Sequence, residues 1–131
     1  MEANVSVKIV TTSGAPAPIG PYSQAVRAGN TVFLSGQIAL DPVSGKLVAG
    51  GVAAEAERVF ANLAAVAEAA GGSLANAVKL TIYLTDLASF GAVNEVMARV
   101  FREPFPARAT VGVKELPRGA AVEVEAVLVL A

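Results

Sequence analysis

Hydrophobic and polar residues change their spacing several times along this chain, and each change predicts an element. Alternation at every second position assigns residues to the two faces of a strand, while recurrence at three and four marks one face of a helix. Val5 to Val10 alternates weakly and reads as a first or edge strand. Ala25–Ala28 and Thr31–Ser35 flank Gly29-Asn30, a turn signal that predicts a hairpin. In 52–70, Ala56, Val59, Leu63, Val66 and Ala70 form a helical stripe, with Glu55, Arg58, Asn62 and Glu68 largely on the outer side. Gly71-Gly72 stops this helix. In 77–85, Val78, Leu80, Ile82 and Leu84 share one strand face, and Lys79, Thr81 and Tyr83 take the other. Asp86 is placed to cap a second helix running to Arg102, its stripe formed by Leu87, Phe90, Val93, Met97, Val100 and Phe101.

The last stretch alternates twice. Ala107, Ala109, Val111 and Val113 interleave with Arg108, Thr110, Gly112 and Lys114. Val122, Val124, Ala126, Leu128 and Leu130 interleave with Glu123, Glu125, Val127 and Val129. With both apolar sets on the core, Arg108 and Glu123 emerge together on the opposite sheet face. The order β, hairpin, α, β, α, β, β predicts a single α+β domain over 1–131, a mixed sheet with both helices on one face. The final strand is apolar on both sides from Ala126 onward, so the face without helices is partly dry as well.

Composition sharpens this picture. The chain is 54% hydrophobic and only 16% charged, with a mean hydropathy of +0.58. A lone 131-residue domain has too much surface for so little charge, which predicts burial between subunits. A formal net charge of −1 and no basic run give no electrostatic footprint for nucleic acid. Cysteine and histidine are both absent, which removes thiol nucleophiles, thiolate and imidazole metal ligands, His-based triads and two-histidine ribonuclease chemistry. No metal-ligand spacing or phosphate-binding loop occurs, so no metal or cofactor is expected. The start lacks the pattern of a signal peptide, and no stretch suits a membrane span; a cytoplasmic protein is expected.

Catalysis must therefore run on Arg, Lys, Glu, Asp, Tyr, Ser, Thr, backbone groups and water. Arg108 with Glu123 offers a fixed cation and a carboxylate for a small anionic substrate, or else an intersubunit salt bridge. Tyr22 sits in the Pro/Gly-rich segment 11–23, which is either an ordered loop or a flexible arm; the ring either lines a pocket or packs structurally. Ser35-Gly36 permits close backbone approach to a ligand, or forms a bulge. Asn94, inside the second helix, is either solvated or aimed at a site. Between Glu123 and Glu125, two apart on one face, the pattern does not choose.

IGPYSQAV at 19–26, FLSGQIALDPVSGKLV at 33–48, NLAAVAEAAG at 62–71, VKLTIYLTDLASFGAVNEV at 78–96, PARATV at 106–111 and LPRGAAVEVEA at 116–126 together resemble the RidA/YjgF family. The resemblance spans nearly the whole chain, in order and with matching spacing. It implies a chorismate-mutase-like fold, homotrimers with clefts between subunits, and hydrolysis of reactive 2-imino acids to 2-keto acids and ammonia. It further implies that Arg108 binds the substrate carboxylate and that Glu123 handles the attacking water. Tyr22, Ser35, Gly36 and Asn94 would line the cleft, with Thr110 offering backbone groups. Many members carry cysteine where this chain has Thr110, and Met97 stands where a tyrosine is common. Two other readings remain: a non-catalytic module binding small carboxylates in the same cleft, and a ribonuclease, which the absence of histidine and of a basic patch disfavours.

Overall fold

The computed structural model describes residues 6–131, so Val5, the first residue of the predicted opening strand, lies outside the described residues. The strands are β1 (Val7–Val10), β2 (Ala25–Ala28), β3 (Thr31–Gln37), β4 (Ala77–Leu84), β5 (Ala107–Gly112) and β6 (Val122–Val129). The helices are α1 (Gly51–Ala69) and α2 (Phe90–Val100). They form one six-stranded mixed sheet in the order β1-β2-β3-β6-β4-β5. β4 and β5 are parallel across the α2 crossover, and β6 is antiparallel to both neighbours, β3 and β4. No described helix is long and apolar enough to cross a membrane.

Element ends follow local chemistry. Gly29 turns the β2–β3 hairpin with a φ of 61°, open to glycine at little cost. The Asp86 carboxylate accepts from the Ala88 N–H at 2.9 Å, but it caps a short 3₁₀ turn, Leu87–Ser89, that leads into α2. α2 ends at Val100, because Phe101 is already extended (φ −110°, ψ 159°). Phe101 instead packs edge-on against Phe60 of α1, with ring centroids 5.7 Å apart.

The alternation along β6 divides the sheet. Val122, Val124, Ala126 and Leu128 are buried under the helices with Val32 and Leu34 of β3 and Leu80, Ile82 and Leu84 of β4. Val59, Leu63 and Val66 of α1 and Val93, Val96 and Met97 of α2 close this core. Leu87, Phe90 and Val100, the outer members of the predicted α2 stripe, stay more than a third exposed. On the other face Ile9, Val26, Phe33 and Val127 share one register row. No helix covers that row, and Ile9 is 62% and Phe33 51% exposed.

Two expectations need correction, and one open alternative is decided. Arg108 does not share the Glu123 face. β5 pairs Arg108 with Leu80 and Thr110 with Ile82, both core-facing residues. Glu123 pairs with Tyr83 on the face without helices. The small apolar set Ala107, Ala109 and Val111 points to that open side; β5 is an edge strand, and its helix side is covered by Phe90, Asn94 and Met97 of α2. Secondly, Glu55 and Asn62 are buried, not outward, at 7% and 0% exposure; both bond main chain that has left the sheet. Thirdly, segment 11–23 is an ordered loop. Gln24 reaches into it, accepting from the Thr12 N–H at 2.7 Å and donating to the Pro16 carbonyl at 2.9 Å.

Stability should therefore reside in the α1–sheet layer. Leu63→Ala removes a fully buried side chain and is expected to cost about 2–5 kcal/mol. Glu57→Ala breaks the exposed 3.0 Å pair with Arg99 and should change stability by less than about 1 kcal/mol. Thermal and urea unfolding of both variants checks this; equal losses would contradict the assignment of the core.

Candidate functional site

Apart from Thr110, the sequence-predicted residues line two clefts on opposite faces of the sheet. The first, about 330 Å³, is lined by Asn94, Met97, Ala98, Phe105, Pro106 and Arg108. Parallel pairing with β4 turns Arg108 toward α2, where its Nη1 donates to the Asn94 side-chain oxygen. The same Nη1 lies 3.5 Å from the Met97 sulfur, and the guanidinium carbon sits 5.1 Å from the centre of the Phe90 ring. Asn94 thus faces the cleft that holds Arg108, one helical face carrying both it and Met97. The Glu57–Arg99 contact is the one ion pair among the described residues, so Arg108 has no carboxylate partner among them. A guanidinium carries five N–H donors. With one spent on Asn94, a planar pair remains for a carboxylate. Thr110 lies two residues along on the same face; its hydroxyl oxygen is buried without a hydrogen-bond partner.

The second cleft, about 340 Å³, is lined by Ile19, Tyr22, Ser35, Gly36, Ile38, Pro117 and Glu123. Between Leu34 and Gln37 the β3–β6 register slips, so Ser35 and Gly36 drop out of the ladder. The Ser35 hydroxyl donates to the Ser23 carbonyl at 2.5 Å, and its N–H donates to the Gln24 carbonyl at 3.0 Å. A methyl group at Gly36 would fall 3.0 Å from Cδ of Glu123, so the missing side chain makes room for this carboxylate. Tyr22, half exposed, accepts from the Ile19 N–H through its hydroxyl oxygen at 3.3 Å.

Geometry separates the two glutamates. The Tyr83 hydroxyl donates to Glu125, while among the described residues Glu123 makes no side-chain hydrogen bond. Burial raises the Glu123 carboxyl above the ordinary value, and the neighbouring Glu125 charge raises it further. The Tyr83 hydroxyl is also pushed up, first by its bond to Glu125 and then by burial. The two carboxylates are thereby differentiated, one committed to a partner and one half-buried with a strengthened hold on a proton. The sequence placed Tyr83 on the correct face, but nothing in the pattern marked its bond to Glu125. Ile19, Ile38, Pro117 and Phe105 are wall residues that the pattern did not single out. Their positions beside turns carry no periodic signal.

A raised carboxyl pKa means that ionised Glu123 opposes folding at neutral pH. That cost fades as the pH falls through the raised folded-state value and is gone below the ordinary value of 4.5. Glu123→Gln should accordingly show a higher thermal midpoint than the parent near neutrality, the gap closing in acid. Melting curves between about pH 4 and pH 8 test this. The reverse order would mean that a cation from outside the subunit already sits on Glu123.

The Endoribonuclease L-PSP family model matches residues 12–130. A protein of Mus musculus named 2-iminobutanoate/2-iminopropanoate deaminase is 49% identical over 93% of this chain and 90% of its own. One of the same name from Dermatophagoides farinae is 48% identical over 94% of this chain and 96% of its own. Among solved structures, RidA from an Antarctic Psychrobacter superposes with a TM-score of 0.92 at 49% identity, covering 94% of this chain and 99% of that one. Escherichia coli TdcF with bound serine superposes at 0.90 with 39% identity, covering 95% and 99%. The segments that carry both clefts lie inside the matched span, and the chain belongs to the RidA/YjgF family, whose model is Endoribonuclease L-PSP.

Proposed function

We propose that this protein is a cytoplasmic homotrimeric deaminase that hydrolyses small 2-imino acids, 2-iminobutanoate and 2-iminopropanoate, to 2-keto acids and ammonia. The observation that carries the reading is the separation of two complementary groups. Among the described residues Arg108 is a guanidinium with no acidic partner, and Glu123 is a half-buried carboxylate with no donor. They lie on opposite faces of one sheet, and no substrate of a few heavy atoms reaches both within a subunit. Packing of the uncovered face against a neighbour joins the Arg108 cleft of one subunit to the Glu123 cleft of the next. The names of the relatives at 48–49% identity support the substrate class.

In this reading Arg108, held by Asn94, takes the substrate carboxylate bidentately, which fixes the imine carbon in the joint cleft. The imine nitrogen is protonated when water adds to that carbon through its oxygen and Glu123 accepts a water proton, giving a neutral carbinolamine. Protonated Glu123 returns the proton to the amino nitrogen. The C–N bond breaks, ammonia leaves, and the hydroxyl proton passes to solvent as the carbonyl forms, replacing the proton that the imine brought. Imine and water are thus consumed to give keto acid and ammonia, with Glu123 regenerated. Burial raises the Glu123 carboxyl above its ordinary value, a shift in the direction that suits a group which both takes and returns a proton. Gly36 leaves space for it, Ser35 and Tyr22 line the approach, and Thr110 contributes backbone groups beside Arg108. The ribonuclease activity in the family model's name is not favoured for a chain with no histidine and a net charge of −1.

The test is a coupled assay that follows imine loss behind a threonine or serine dehydratase, corrected for spontaneous hydrolysis. Glu123→Gln should lower kcat about 10²–10⁴-fold, the range for loss of a positioned proton-transfer group. Arg108→Lys should be nearly as damaging as Arg108→Ala, because lysine keeps the charge but loses the planar fork. Normal turnover by Glu123→Gln would remove the general base from the mechanism. Binding of keto acid without turnover by the parent protein would favour the non-catalytic module.

A further inference from the structure

Polar residues buried in a small core are costly unless something must be held by them. Among the described residues only Gln24, Gln37, Glu55 and Asn62 are polar and buried. Three of these four bind main chain, and the segments they hold form three walls of the Glu123 cleft. The Gln24 amide nitrogen donates to the carbonyls of Thr12, Ala15 and Pro16 at 3.0, 3.3 and 2.9 Å, tethering the loop that presents Ile19 and Tyr22. Asn62, from the middle of α1, donates to the carbonyls of Leu40 at 3.0 Å and Ile38 at 3.4 Å. Its own oxygen accepts from Arg58 Nε at 3.1 Å, which fixes the orientation of the amide. Glu55, one helical turn from the start of α1, accepts from the Ala121 N–H at 2.9 Å, at the entry to the strand bearing Glu123.

The need for these anchors follows from the course of the chain beyond the β3–β6 slip. Past Ser35 and Gly36 the chain rejoins the ladder at Gln37, opposite Val124. It then leaves the sheet, with the carbonyls of Ile38 and Leu40 turned toward α1. Asn62 satisfies those carbonyls from the helix layer instead. A small satellite core of Ile38, Leu40 and Ala120 joins the same two segments, but apolar packing alone sets no register.

We infer that Gln24, Asn62 and Glu55 are positioning residues for the reaction, each holding one wall of the cleft so that Gly36 stays open beside the Glu123 carboxylate. This rests on the proposed deaminase reading for its kinetic consequence, and the anchors themselves touch no substrate. Their loss acts on the chemical step more than on capture, since the carboxylate clamp at Arg108 is built from other elements.

The experiment compares Glu55→Leu and Asn62→Leu with the conservative Glu55→Gln, whose side-chain oxygen still accepts from Ala121. Rates are measured at a temperature where melting curves show each variant folded. In the leucine variants kcat should fall about 10–100-fold, the effect of roughly 1 Å of misplacement, with a smaller rise in KM. Glu55→Gln should regain most of the parent rate. Amide NMR shifts of Ser35, Gly36 and Glu123 provide a readout independent of activity: displaced in the leucine variants, near parental in Glu55→Gln. Folded leucine variants with parental kcat and unmoved shifts would overturn the inference. If the parent protein hydrolyses no imine, the deaminase reading fails, while the NMR shifts still decide whether the anchors hold the cleft. Should Asn62→Leu not fold, Glu55→Leu against Glu55→Gln carries the test alone.

Discussion

The insertion of β6 between β3 and β4 is the interaction on which the rest depends. This strand is hydrogen-bonded on both edges, and its residues alternate between buried and half-buried until Val129. One set supplies the centre of the core beneath the two helices. The other set places Glu123 and Glu125 on the face that the helices leave bare. Each buried aliphatic side chain in this layer is worth about 1.5–3 kcal/mol, and a shift of one residue in register would exchange the core set for the carboxylates. The same packing that makes the domain stable therefore fixes where its chemistry can be.

That constraint has a second consequence. A sheet with its side chains is about 10 Å thick, wider than a 2-imino acid of a few heavy atoms. Arg108 on the roofed side and Glu123 on the bare side cannot grip one such molecule inside a subunit. The apolar row of Ile9, Val26, Phe33 and Val127 on the bare side gives a physical reason for another subunit to come close. In this account stability of the assembly and completion of the site are one requirement. The helix layer contributes from behind through Asn62 and Glu55, which control the strand ends between which Glu123 is exposed.

Much of this was legible in the residue pattern. The helical stripe Ala56, Val59, Leu63 and Val66 is buried as its spacing implies, and α1 begins and ends within a residue of the expected bounds. Ser35-Gly36 was marked either for close approach to a ligand or for a bulge; the β3–β6 register slips there, and Gly36 leaves room for Glu123. The facing of β5 was not legible. Ala107 and Ala109 are too small to declare a core side, and an edge strand has no neighbour to enforce one, so alternation pointed the wrong way. Glu55 and Asn62 read as surface residues and Gln24 was not singled out, because pattern reasoning sorts by polarity, whereas their burial depends on carbonyls and amides that chain far away in sequence leaves unpaired. Arg108, Glu123, Tyr22, Asn94 and Thr110 were named together only through the family resemblance.

The most direct measurement is subunit mixing. Arg108→Ala and Glu123→Gln chains, each inactive alone, are co-refolded in equal amounts, and formation of mixed oligomers is verified by native mass spectrometry. If each site takes Arg108 from one subunit and Glu123 from its neighbour, about one quarter of the clefts in random closed oligomers regain both groups. Imine hydrolysis should then recover to about a quarter of the parent rate per subunit. Mixed oligomers no more active than the two variants apart would contradict a site shared between subunits.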